Sequence, residues 1–415
     1  MRGAPASSAR TSAQQLDGSD PLARFRDLFE LEPGLVYLDG NSLGAMPRTA
    51  SARLQRVLAE EWGQGLIRSW NRAGWVDAAL SSGTKIARLL GASPGEVVVA
   101  DNTTVNLYKA LAAALRLRPG GTILTDTGNF PTDLYVAEAV AAQFGASAVK
   151  RVPRGDVAAA IQHGVSVLLL TQVDYRSGNL LDMAEITARA HEAGAIAVWD
   201  LSHSAGALPI DLNAADADLA VGCTYKFLNG GPGAPAFIYA ARRLHASLET
   251  PIPGWFGHAD TFAFGESYAP AGDVARFQSG TPGILGLTAL DSALDIWLEA
   301  DMEQVRAKSI ALADLLAARV DERCAGLGVE VGSPRRASER GSQVCLRHAL
   351  ASQVVQALGA RGVIVDCRPP DVIRFGLTPL YTRFVDVWDA TEALAQVLET
   401  GAHLDPLHAS RARVP

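Results

Sequence analysis

Short, unbroken apolar runs alternate with alanine-rich stretches through the middle of this chain, and few folds accommodate that alternation. Val97–Ala100, Thr122–Thr125, Val165–Leu170 and Ile196–Trp199 carry no charged residue. Strands buried on both faces look like this, because neither face meets water. Between them, Val105–Leu117, Leu134–Phe144 and Met183–Ala193 have helical length and amphipathic spacing. Asp182 is the expected N-cap of the last, with Glu185 three residues on. The pattern predicts an α/β fold with a mostly parallel sheet covered by helices. Ala234–Tyr239 follows a Gly-Pro turn tight enough for a locally antiparallel strand.

Beyond this region a long helix, roughly Ile284–Arg319, is expected to lead out of the core. Strand-like Gln343–Leu346, helical Ser352–Leu358 and strand-like Val363–Val365 and Asp371–Gly376 then predict a small α+β domain. At 415 residues the chain exceeds one ordinary core. The expected division is a loose tail over 1–20, a large domain over 21–285 that includes the N-terminal segment, and a small domain over 286–415. No internal repeat is visible.

Composition excludes more than it identifies. A formal net charge of −7, with no basic block, argues against nucleic acid or an anionic membrane surface as a partner. No apolar run is long enough to span a bilayer. The four cysteines, Cys223, Cys324, Cys345 and Cys367, are scattered with no C-x-x-C pair. A disulfide framework or a zinc site is therefore not expected, no metal is called for, and a reducing, cytoplasmic setting fits.

The chemistry concentrates around Lys226. The run Ala220-Val221-Gly222-Cys223-Thr224-Tyr225-Lys226 ends an apolar strand and breaks into Gly230-Gly231-Pro232-Gly233. One lysine thus stands at the mouth of a buried sheet, where desolvation favours the neutral, nucleophilic amine. Asp200 closes another apolar strand and is followed by Ser202-His203-Ser204. An amine that captures an aldehyde, and an acid that keeps a pyridine nitrogen protonated, are what pyridoxal phosphate chemistry requires. Asp101-Asn102-Thr103-Thr104 follows a strand and opens a helix, a placement that suits a phosphate. Phe130 and Asp133, in Asn129-Phe130-Pro131-Thr132-Asp133, could stack on and orient a ring, and His203 could stack on it or hydrogen-bond a substrate. Arg374 could receive a substrate carboxylate. Each residue also has a plainer reading: a turn lysine, capping Asp and Thr residues, a structural histidine, a Pro-Thr-Asp turn, a surface arginine. Their joint appearance at strand ends favours the site. No phosphate-loop, zinc-protease or serine-hydrolase motif is present.

With these residues in hand, the chain resembles the kynureninase family, pyridoxal phosphate enzymes of fold type I. The landmarks are Leu38-Asp39-Gly40-Asn41-Ser42-Leu43-Gly44, Asn102-Thr103-Thr104-Val105-Asn106-Leu107, Asn129–Asp133, Asp200–Gly206, Thr224–Asn229, Gly254-Trp255-Phe256-Gly257-His258 and Arg374–Tyr381. The resemblance covers nearly all of the chain after the tail. It implies a large domain with a seven-stranded, mostly parallel sheet and a smaller C-terminal α+β domain. It implies that Lys226 holds the cofactor aldehyde, that Asp200 meets the ring nitrogen, and that Phe130 stacks on the ring with Asp133 and His203 close by. Thr103, Thr104, Thr171 and Tyr225 then contact the cofactor, chiefly around its phosphate, and Tyr225 is a candidate proton donor. Trp255 and Thr281 match positions reached from a neighbouring subunit, which implies a homodimer with shared sites. Arg374 would hold the substrate carboxylate. Asn41 and Ser42 join it on the substrate side, and Trp70, in Ile67-Arg68-Ser69-Trp70-Asn71, lines the aryl pocket. The implied reaction is hydrolysis of the Cβ–Cγ bond of L-kynurenine to anthranilate and L-alanine, a step of tryptophan catabolism. Threonine at 281 implies preference over the 3-hydroxylated substrate.

Two rivals share this fold. A cysteine desulfurase or selenocysteine lyase needs a cysteine on a mobile loop, whereas Cys345 and Cys367 lie in strand-like runs. A non-catalytic ligand sensor would lack the lysine or the arginine, and usually adds a DNA-binding segment.

Overall fold

The computed structural model describes residues 6–408. It opens on a helix, α1 (Ala6–Gly18), where a loose tail was expected. Ala13 is buried, Arg10 pairs with Asp389 through two 2.7 Å hydrogen bonds, and Asp17 accepts from the backbone N–H groups of Phe384 and Val385. These tertiary contacts order a segment whose polar composition gave no periodic signal; residues 1–5 of the expected tail lie outside the described range.

The chain divides into two compact units. One comprises Thr49–Tyr175 and Leu181–Glu299, the other the residues up to Arg48, Arg176–Leu180 and the chain from Ala300. The expected boundary at 285/286 therefore moves, and residues 21–48 fall outside the large unit. The physical reason is a strand pairing: Val36–Tyr37 runs parallel to Val363–Ile364, so the N-terminal segment completes the small unit.

The large unit is built on β1 (Val97–Ala100), β2 (Thr122–Asp126), β3 (Val149–Val152), β4 (Val165–Thr171), β5 (Ile196–Asp200), β6 (Leu219–Gly222) and β7 (Ala236–Ala240), with helices α2 (Ala78–Leu89), α3 (Thr103–Leu117), α4 (Pro131–Phe144), α5 (Met183–Glu192) and α6 (Ile284–Glu299). The strands form one seven-stranded sheet in the order β1-β7-β6-β5-β4-β2-β3. Only β7 runs antiparallel to its neighbours, as the Gly-Pro turn before it allowed. Every residue of β4, β5 and β6 is buried, which explains their uninterrupted apolar runs. The edge strand β3 went unseen because Lys150 and Arg151 at its centre are exposed and break the pattern. Helices α3 and α4 start two and three residues before the expected positions. Asn102 caps the first, accepting from Val105 N at 3.0 Å, and Pro131 occupies the first turn of the second.

The small unit carries an antiparallel sheet of β8 (Glu330–Val331), β9 (Gln343–Arg347), β10 (Asp366–Arg368) and β11 (Val372–Gly376), in the order β8-β9-β11-β10, with helices α7 (Met302–Arg323), α8 (Ala351–Gly359) and α9 (Phe384–Glu399). Its core gathers Leu38, Leu312, Leu316, Ile373, Phe375 and Leu394. The single long helix expected over Ile284–Arg319 is two helices, α6 and α7. Asp301 ends the continuity: its carboxylate accepts from Glu303 N at 2.8 Å and Gln304 N at 3.3 Å, capping α7. Among the described residues, no helix is long and apolar enough to cross a membrane.

Candidate active site

The C-terminal ends of β1, β2, β4, β5 and β6 and the N-terminal end of β7 share one edge of the large sheet, given the strand directions. Ligands of open α/β sheets bind at that edge, where the helix N-termini also point. A cavity of about 240 Å3 opens there.

Lys226 lines this cavity four residues after β6, on a half-buried turn rather than sealed inside the sheet. Its Nζ lies 3.0 Å from His203 Nε2 and 5.8 Å from the centre of the Tyr225 ring. Asp200, the last residue of β5, is buried beneath the cavity and accepts from Ser202 N at 2.8 Å. Asp133, in the first turn of α4, is buried beside it. Burial pushes both carboxyls upward. For Asp133 the nearby Asp200 adds to the rise; for Asp200, Ser202 and Lys226 oppose it. The two carboxyl groups thus share one buried site at the cavity, where two full negative charges are disfavoured.

Thr103 and Thr104 start α3 at the cavity wall. Asn102 satisfies Val105 N, so the two threonine N–H groups precede any intrahelical partner and can serve an anion. Phe130 also lines the cavity, 40% exposed and edge-on to Tyr175 at 5.2 Å. Thr171 does not line it. Its hydroxyl donates to Asn129 Oδ1 at 2.5 Å and to Asp133 Oδ2 at 3.3 Å, so it positions the acid pair from behind. Sequence reasoning missed this role because the threonine closes a mainly apolar strand and nothing in its neighbourhood signals a partner.

Other expected site residues stand elsewhere. Trp255 packs on Phe256 at 4.5 Å, and Phe256 on Trp70 at 5.9 Å, so Trp255 and Trp70 belong to one aromatic group. Gly254 of the same motif is required by a close approach: a Cβ there would meet Ser279 O at 2.1 Å. Thr281 lines a second cavity of about 440 Å3 with Asp101 and Ser279. In the small unit, Arg374 is buried on β11. Its Nε donates to Asp366 Oδ1 at 2.6 Å, and its Nη2 bonds Asp366 Oδ2 and, at 2.9 Å, Ser42 Oγ. Asn41 is buried with its Nδ2 3.4 Å from Gln343 Oε1. Asp366 went unnoticed in the sequence, although Asp-Cys-Arg in strand alternation puts Asp366 and Arg368 on one face. Burial pushes the Asp366 carboxyl up, and Arg374, together with Arg368 and Ser42, more than offsets it, holding the group below the usual range.

The donor set around the first cavity fits pyridoxal phosphate: an amine for the aldehyde, a buried carboxylate for the ring nitrogen, an aromatic and an imidazole for the ring, and a helix start for the phosphate.

Comparison with known proteins decides the family. The family described as "Kynureninase C-terminal domain" matches residues 305–394. The chain is 47% identical over 412 residues to kynureninase from Burkholderia pseudomallei (strain K96243), covering 98% of this chain and 99% of that one. It is also 47% identical over 397 residues to kynureninase from Pseudomonas fluorescens, covering 94% and 95%. The chain belongs to the kynureninase family. Among solved structures, the cysteine desulfurase CsdA from Escherichia coli superposes with a TM-score of 0.77 at 22% identity, over 91% of this chain and 98% of that one. A cysteine desulfurase from Thermococcus onnurineus NA1 gives 0.77 at 18% over 91% and 98%. These likenesses show the fold, which is the fold-type I architecture expected from the sequence.

Proposed function

We propose that this chain hydrolyses the Cβ–Cγ bond of L-kynurenine, adding one water and releasing anthranilate and L-alanine, with pyridoxal 5'-phosphate in the first cavity. The observation that carries the proposal is the convergence of Lys226, Asp200 and the α3 start on that one cavity, in a chain of this family. When bound, pyridoxal phosphate supplies an aldehyde carbon for amines and a ring that takes up the electron pair of a breaking bond. Asp200 keeps a proton on the ring nitrogen, with Asp133 and Thr171 fixing its orientation. Thr103 and Thr104 bind the phosphate, and Phe130 and His203 flank the ring. Lys226 would hold the cofactor aldehyde and would be the base at the substrate Cα; Tyr225 would be the donor that returns a proton to carbon. Arg374 receives the substrate carboxylate, with Asn41 and Ser42 beside it, and Trp70 bounds the aryl group. Trp255 and Thr281 reach the site of a second copy in a homodimer, and Thr281 favours L-kynurenine over the 3-hydroxylated substrate. The enzyme acts in the cytoplasm.

The buried state of all four cysteines speaks against a desulfurase, which needs an accessible thiol nucleophile. The test is product analysis with the cofactor supplied. Anthranilate and alanine should appear in equal amounts from L-kynurenine, and Lys226→Ala should lower turnover by about two to four orders of magnitude. Sulfide from cysteine with no anthranilate would overturn the reading.

A further inference from the structure

Lys109 is a lysine with no exposed surface, in the middle of α3, and the chemistry described above does not use it. Its three N–H donors are all engaged. They reach Asp101 Oδ2 at 2.5 Å, Phe277 O at 2.6 Å and Ser279 Oγ at 2.7 Å. Burial drives a lysine toward its neutral form, and Asp101 opposes that drive. A charge is kept inside a protein only when its partners hold it, and these partners sit at two informative places. Asp101 stands immediately before the Asn102 cap of α3, in a left-handed conformation with φ of 44°. The Phe277–Ser279 segment leads directly to Thr281, and both Asp101 and Ser279 line the second cavity.

The start of α3 attracts an anion through its free N–H groups and its dipole. A bare carboxylate two residues ahead of it would repel the same anion. We propose that Lys109 is a positioning residue for the cofactor phosphate: its ammonium cancels the Asp101 charge and ties the phosphate-facing start of α3 to the 277–279 segment. The proposal rests on reading the first cavity as the pyridoxal phosphate site. It adds a residue that acts on that phosphate only through Asp101 and the backbone.

Two variants are read together. Asparagine at 101 tolerates the left-handed conformation and still offers Lys109 an oxygen acceptor. With the carboxylate gone, burial leaves Lys109 neutral, so Asp101→Asn carries no unpaired charge at the start of α3. Cofactor-free protein is titrated with pyridoxal phosphate and, separately, with pyridoxal, and bound aldehyde is followed by its visible absorbance. Lys109→Met, which leaves the Asp101 carboxylate bare, should weaken pyridoxal phosphate by about tenfold, less so at high salt, and spare pyridoxal. Asp101→Asn alone should bind both ligands as the wild type does, and adding it to Lys109→Met should restore most of the loss. A Lys109→Met variant whose pyridoxal phosphate binding is unchanged, or is not restored by Asp101→Asn, overturns the proposal. So does an equal loss of both ligands in Lys109→Met. If Lys109→Met does not fold, Lys109→Gln, which keeps a hydrogen-bonding group without the charge, takes its place with the same expected outcomes. A wild type that binds no pyridoxal phosphate would instead remove the cofactor reading beneath the proposal.

Discussion

Asp133 and Asp200 are two acids buried together under a cavity, and their arrangement has a cost that the cofactor-free protein bears alone. Burial raises the Asp133 carboxyl in the folded state. A raised acid binds its proton more tightly folded than unfolded, so its stabilising contribution is complete at low pH and is lost as pH rises toward the raised value. Asp133→Asn removes that loss. The variant without cofactor should therefore gain stability over the wild type, with a larger gain at pH 8 than at pH 4. Thermal unfolding at the two values checks this, and an equal or reversed difference contradicts it. Asp200 was legible in the sequence because an aspartate closing an apolar strand is unusual. The Thr171 and Lys109 contacts were not legible, because each joins residues far apart in sequence that only the sheet order and the loop path bring together. The Arg374–Asp366 pair was half legible: the arginine stood out, and its partner eight residues earlier did not.

At the level of elements, apolar runs located the buried strands because both of their faces are covered, and they failed at β3, whose face is wet. The α6–α7 break shows the other limit. Both helices are rich in apolar residues, so periodicity continues across Ala300–Asp301, and only capping separates them. If Asp301 is what starts α7, Asp301→Ala should cost about 1 kcal/mol. Urea unfolding would show a lower midpoint with an unchanged slope. A midpoint equal to the wild type would mean that packing alone sets the helix start. Gly254 illustrates a motif residue whose reason is purely steric: the sequence marked the Gly-Trp-Phe-Gly run, and the close backbone of Ser279 explains its first glycine.

For the whole molecule, Trp255 and Thr281 lie apart from the cavity that holds Lys226, Thr281 in a cavity of its own and Trp255 among aromatics. Sites completed by a second copy, as proposed above, would account for that separation. The protein should sediment at twice 43.7 kDa. Lys226→Ala and Trp255→Ala variants, each inactive alone, should regain about a quarter of wild-type activity after subunit exchange, because half of the dimers are mixed and each mixed dimer has one complete site. No recovery on mixing would contradict shared sites. A mostly parallel sheet and the small α+β unit were legible from pattern, and the count of seven strands only from the resemblance, whereas the assignment of the N-terminal segment to the small unit depends on the two-residue pairing of Val36–Tyr37 with Val363–Ile364, too short to signal itself.

The central claim is that the Lys226 amine holds the cofactor. Borohydride reduction of the yellow, cofactor-loaded protein, followed by digestion and mass spectrometry, tests it directly. The account predicts one added phosphopyridoxyl group per chain, on the peptide containing Lys226. A label on any other lysine, or no label on a protein that still cleaves L-kynurenine, would contradict it.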